Sequence, residues 1–152
     1  YSIANDISAR SVTFKQGRTE RSRDVFFDWL MGKWSNGFLP MGPYFVTADE
    51  IRDPQNLKLE LNVNGQTRQQ ANTAQMIFDV YRVVSFISHL VTLEAGDVIL
   101  TGTPHGVGAA DGHYLEPGDK ITCTIDAIGT LENTLGPRPE RWYNGFIADS
   151  EE

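Results

Sequence analysis

Apolar and polar residues alternate most cleanly where Leu57, Leu59, Leu61 and Val63 are interleaved with Lys58, Glu60 and Asn62. A period of two marks a strand with one buried face. Asn64-Gly65 follows directly and predicts a type I′ turn, which makes residues 66–70 the return strand of a hairpin. The period then changes. Met76, Ile77, Val80, Val83, Val84, Ile87, Leu90 and Val91 recur at helical spacing, so residues 73–90 are expected to form one long helix with a buried face. Residues 98–101 read as a strand that runs into the glycine-rich stretch Gly102-Thr103-Pro104-His105-Gly106-Val107-Gly108.

Shorter elements fill the rest. Residues 2–4 read as a strand ending at the turn-prone pair Asn5-Asp6, residues 25–34 as a short helix, and residues 44–46 as a strand. Thr47-Ala48-Asp49-Glu50 fits a capping box, closed off by Asp53-Pro54. Pro117-Gly118-Asp119 turns into a strand over 120–127, and Gly129 bends the chain into a last strand over 130–133. Residues 15–24 and the tail after 136 are charge-bearing surface segments. Strands joined as hairpins rather than βαβ units, with one long helix packed across them, define an α+β class that is mostly β. A length of 152 residues suits a single domain over 1–152.

Composition narrows the function. Hydrophobic residues make up 40% and charged residues 22%, as in a soluble globular protein. The net charge of −7 argues against a nucleic acid or an anionic membrane as the main ligand. The single cysteine, Cys123, lies in an alternating strand pattern and reads as a small packed residue. With no disulfide possible within the chain, a reducing, cytoplasmic location is expected.

Several residues could carry chemistry. The small residues at the end of the 98–101 strand let backbone approach a ligand and present Thr101 and Thr103 beside it, a mouth suited to a carboxylate or small anion. Asp6 follows a strand and could ligate a hard metal or cap a turn; one carboxylate is no metal site by itself. Arg10 could bind a carboxylate or pair within the fold. Lys33 lies among aromatic residues, in Trp29-Leu30-Met31-Gly32-Lys33-Trp34, either as a surface lysine or as a charge set against an enolate. Asn72 and Gln75 flank the start of the predicted helix, where they could cap it or attend an anion. His105 lies in the glycine-rich mouth. The three histidines match no zinc spacing and no nucleophile triad.

Taken in order, these segments resemble the fumarylacetoacetate hydrolase family. Tyr1-Ser2-Ile3-Ala4-Asn5-Asp6-Ile7-Ser8-Ala9-Arg10 is similar to the family's "GYTVANDVSARD". Gly32-Lys33-Trp34 falls at its "KSF"-like lysine, and Leu39-Pro40-Met41-Gly42-Pro43 at its "PLGP". Residues 46–57 resemble "VTADEIxDPxxL". Asn72-Thr73-Ala74-Gln75-Met76-Ile77-Phe78 matches "NTxxMIF", and residues 96–108 match "GDVIxTGTPxGVG".

The resemblance implies a mixed β-roll, a homodimer, a divalent metal (Mg²⁺ or Mn²⁺) and a small keto or enol acid as substrate. By position, Asp6 would be a metal carboxylate and Lys33 the catalytic residue that stabilises an enolate. Thr103 and the Gly102 backbone would hold the substrate's carboxylate, with Arg10 and Gln75 also on the substrate. The expected reaction is C–C hydrolysis of an acylpyruvate-type substrate through an enolate held on the metal. The alternatives are isomerisation or decarboxylation of the kind used in aromatic catabolism, or an inactive ligand-binding subunit. The family's Glu-x-Glu metal pair and its lid belong upstream of the "ND" segment, and Ser11 stands where an Asp often follows Arg10. These departures predict a catalytic domain whose N-terminal part is missing from the chain.

Overall fold

The structure, a computed structural model, describes residues 1–10, 12 and 19–137. In chain order its elements are β1 (Ile3–Ala4), α1 (Asp24–Met31), β2 (Met41–Gly42), β3 (Lys58–Val63), β4 (Gln66–Asn72), a 3₁₀ turn (Thr73–Gln75), α2 (Val80–Ser88), α3 (Gly108–Asp111), β5 (Lys120–Ile125) and β6 (Gly129–Thr134). The α+β, mostly β class is the one the pattern predicts. The chain divides into two compact units, one of Tyr1–Ala4 with Met41–Leu135 and one built on Asn5–Pro40.

The larger unit holds an antiparallel sheet of order β4-β3-β5-β6. The hairpin forms as expected: Asn64 and Gly65 take φ of 52° and 79°, the left-handed pair that a type I′ turn requires. Across the sheet, Leu61 faces Cys123, and Cys123 faces Leu131. Cys123 and Leu131 are buried, as are Ile3, Ile51, Ile121 and Ile128, so the core lies on this face. Cys123 is thus the packed residue that the alternation implies. The opposite face is polar. Glu60 accepts from Asn62 at 2.7 Å and from Gln70 at 3.1 Å, and the Thr124 and Thr130 hydroxyls meet at 3.0 Å.

The β3–β4 ladder is not regular. Asn62 pairs with Thr67, but Leu61 pairs with Gln69, so Arg68 is an extra residue in a β-bulge. Gln69 therefore joins the row of Leu61, Cys123 and Leu131. It is 7% exposed, a polar side chain in an apolar row.

Three sequence expectations are corrected. The long helix over 73–90 is two elements. Asn72 and Gln75 form a capping box around the 3₁₀ turn, and Met76 leaves it with an extended ψ of 138°. A second start follows, because Asp79 Oδ1 accepts from Arg82 N at 2.7 Å and Gln55 Oε1 accepts from Val80 N at 2.8 Å. Nor is one face of α2 sealed: Val80, Val83 and Ile87 are half-buried, while Tyr81, Val84 and Phe86 are exposed. Periodicity identifies the apolar stripe but not what covers it. Second, residues 98–101 are not a paired strand. Third, residues 44–46 are not a strand: β1 pairs with Met41–Gly42, and residues 44–46 hold Tyr1 and Ser2 through backbone acceptors at Val46 and Tyr44. Residues 15–18 of the charged 15–24 segment and the tail beyond residue 137 lie outside the described residues.

Candidate active site

In the smaller unit, α1 ends at Gly32, whose N–H donates to Asp28 O at 3.0 Å. A Cβ at this position would collide with the backbone carbonyl of Ala9. Glycine lets the two segments close up, and Ala9 N donates to Gly32 O at 2.9 Å. That contact sets Lys33 beside the segment that carries Asp6 and Ser8. The Lys33 ammonium donates to Asp6 Oδ2 at 2.7 Å and to Ser8 Oγ at 2.7 Å. Ser8 Oγ in turn donates to Asp6 O at 3.1 Å. The Trp29 ring lies 5.7 Å from Nζ, within cation–π range. The lysine side chain is 19% exposed and the Asp6 side chain 50%. An ion pair this open to water adds at most about 1 kcal/mol to stability.

Asp6 and Lys33 are thus brought together as expected. Ser8 and Trp29 were not singled out from the sequence, although Ser8 lies inside the "ND" motif and Trp29 is one helical turn from Lys33. Arg10 is exposed and has no hydrogen bond or ion pair among the described residues.

In the larger unit, residues 102–107 form a loop leading into α3. Gly102 has φ +96° with open space around it, so its backbone conformation alone calls for glycine. Gly106 combines φ +97° with a Cβ position that would strike the carbonyl of Arg68, the bulged residue of β4. The loop is therefore seated on the bulge. Gln69 Nε2 donates to Thr103 Oγ1 at 2.9 Å and to Pro104 O at 2.9 Å, with His105 O at 3.3 Å. Thr103 and His105 are exposed. Gln75 Oε1 accepts from Asn72 N at 2.9 Å, so that end of the side chain is engaged in the capping box.

A divalent metal needs several hard oxygens. Among the described residues no group of three or more His, Cys, Asp or Glu could hold one. Asp6 fits as one ligand, since its carboxylate is half open and Lys33 takes only Oδ2. The described residues do not complete the site.

With these pieces in place the class of the protein follows. Residues 1–136 match the family described as fumarylacetoacetate (FAA) hydrolase C-terminal, and the chain belongs to that family. Three relatives frame the comparison. The chain is 40% identical over 137 residues to the oxaloacetate tautomerase FAHD2A, mitochondrial, of Bos taurus, covering 89% of this chain and 41% of the relative. It is similar to the crystal structure of 2-hydroxyhepta-2,4-diene-1,7-dioate isomerase from Mycobacterium marinum, with TM-score 0.72, 40% identity and coverage of 90% and 47%. It is also similar to maleylpyruvate hydrolase from Sphingobium sp. SYK-6 in complex with manganese(II) and pyruvate, with TM-score 0.65, 37% identity and coverage of 70% and 38%. The chain thus spans about two fifths of the length of the curated relatives it matches.

Proposed function

We propose that this chain is part of an enzyme that enolises a 2-oxo acid, and that its reaction is the keto–enol interconversion of oxaloacetate. The observation that carries this reading is the Lys33 ammonium, fixed at 2.7 Å from both Asp6 Oδ2 and Ser8 Oγ. In such a reaction a base takes a proton from the carbon beside the keto group, the C–H electron pair moves onto the keto oxygen, and a proton delivered to that oxygen completes the enol. A held ammonium offers charge and an N–H where that oxyanion develops, without reorganising at the moment of reaction. Two anchors leave the third N–H of Lys33 for the substrate. Thr103, in the loop fixed by Gln69, supplies a hydroxyl for a substrate carboxylate, with the Gly102 backbone, Arg10 and Gln75 as further substrate contacts. Asp6 would ligate Mg²⁺ or Mn²⁺ together with groups outside the described residues. When bound, that metal supplies Lewis-acid polarisation of the keto carbonyl.

The choice of oxaloacetate draws on relatives named as oxaloacetate tautomerases at about 40% identity. A second reading is hydrolysis of an acylpyruvate C–C bond, favoured by the maleylpyruvate hydrolase structure that holds pyruvate. The same enolate would serve it, as it would an isomerase. A homodimer remains part of the proposal. So does a cytoplasmic location, beside relatives whose names place them in mitochondria. Among the described residues no helix is long and apolar enough to cross a membrane.

The test uses the full-length protein loaded with Mn²⁺. Decay of the enol absorbance of oxaloacetate reads tautomerisation, and release of pyruvate from an acylpyruvate reads hydrolysis. Lys33→Ala is expected to lower kcat by ~100-fold or more while thermal unfolding stays close to wild type. Asp6→Asn is expected to weaken Mn²⁺ binding. Undiminished turnover in Lys33→Ala would remove the lysine from the mechanism. No turnover of either substrate by the metal-loaded wild type would leave the ligand-binding subunit as the surviving reading.

A further inference from the structure

Gln69 is a buried amide side chain on the sheet's apolar face, and its Nε2 is spent on a single loop. The orientation of that amide is fixed by its neighbours. Pro104 O and His105 O can only accept, so the atom facing them is the nitrogen, and the Thr103 hydroxyl beside them accepts as well. A hydroxyl has one proton to give. Once Thr103 Oγ1 takes a hydrogen from Gln69, its own O–H is turned away from the protein interior. Thr103 is exposed, so that proton is left to the solvent side, where a ligand can accept it.

We propose that Gln69 is a positioning residue that commits the Thr103 hydroxyl to donating, and so makes the loop selective for a carboxylate over a group that itself needs an acceptor. The inference rests on the reading that Thr103 holds a substrate carboxylate, and it adds the residue that sets the polarity of that contact. Two features support a dedicated arrangement. The bulge at Arg68 is what turns Gln69 onto the apolar face, opposite Leu61. The Arg68 carbonyl is also the surface on which Gly106 is seated. One irregularity in β4 thus supplies both the seat of the loop and the donor that orders it.

The test measures KM and kcat for oxaloacetate in the full-length Mn²⁺-loaded protein, for Gln69→Glu, Thr103→Val and the double variant, with thermal unfolding alongside. A glutamate has the same shape but offers Thr103 an acceptor, so the hydroxyl turns inward. Gln69→Met, which removes the donor without adding an acceptor, serves if the glutamate variant does not fold. Loss of one hydrogen bond to a charged group is worth roughly ten- to hundredfold. The expected result is that order of increase in KM for each single variant, with kcat within a few-fold and no further rise in the double variant. If Thr103→Val leaves KM unchanged, the carboxylate reading falls and takes this inference with it. If Thr103→Val raises KM and the Gln69 variant does not, the reading of Thr103 stands and the role of Gln69 is overturned. A Gln69 effect that persists in full on the Thr103→Val background, or that tracks a loss of thermal stability, also overturns it, because Gln69 would then act through the fold.

Discussion

Lys33 and Cys123 show how differently one residue can serve a fold. Lys33 contributes little to stability, yet Asp6, Ser8 and the Trp29 ring all address its ammonium. Asp6 balances its charge, Ser8 fixes its direction, and the indole shields one side. Cys123 has no polar role, but its burial in β5 pushes the thiol up to about 11 from an ordinary 9.0. The folded state therefore keeps the thiol proton after the unfolded chain has begun to lose it. Its contribution is complete below pH 9 and is lost as pH rises from there toward 11. The melting temperature of the wild type is expected to fall more steeply over that interval than that of Cys123→Ala, measured by circular dichroism. Equal alkaline slopes would show that the thiol is not desolvated in the folded state.

At the scale of elements, the contact between the 102–107 loop and β4 makes a graded prediction. Alanine at 102 meets open space and suffers only from its positive φ, whereas alanine at 106 adds a collision with the Arg68 carbonyl. Gly102→Ala is expected to cost about 1 kcal/mol and Gly106→Ala roughly 1–3 kcal/mol more, read from urea unfolding. The reverse order would mean that the loop does not rest on the bulge. That bulge also marks where the sequence stops being legible. The hairpin and its turn are plain in the alternation and in Asn64-Gly65. A regular ladder from that turn would place Gln69 opposite Glu60 on the polar face, so its burial is hidden. The break between the 3₁₀ turn and α2 is hidden for a similar reason, because side chains at Asp79 and Gln55 decide it and the apolar spacing runs straight through. Asp6 and Lys33 lie 27 residues apart, and only the family resemblance joins them in the sequence. Their meeting depends on Gly32, whose role becomes visible once the Ala9 backbone is seen against it.

For the molecule as a whole, burial is unevenly shared. Among the described residues, the buried core side chains Ile3, Ile51, Ile121, Cys123, Ile128 and Leu131 belong to the unit of the four-stranded sheet, whereas in Asn5–Pro40 only Asp24 and Gly32 are buried. Regions with few buried contacts open first. Native-state hydrogen exchange is therefore expected to protect the amides of β3 and β5 longest and those of α1 far less. Slower exchange in α1 than in β5 would contradict this division. The segment that carries the lysine is thus expected to be the more adaptable one, and it contains an optical probe. Trp29 lies within 5.7 Å of the lysine nitrogen, and a nearby ammonium influences indole emission. A ligand that draws the ammonium off the ring would report its own arrival as a change in tryptophan fluorescence. Trp29→Phe, which keeps only the emission of Trp34 and Trp142, would provide the control, and binding could be followed without a label or turnover.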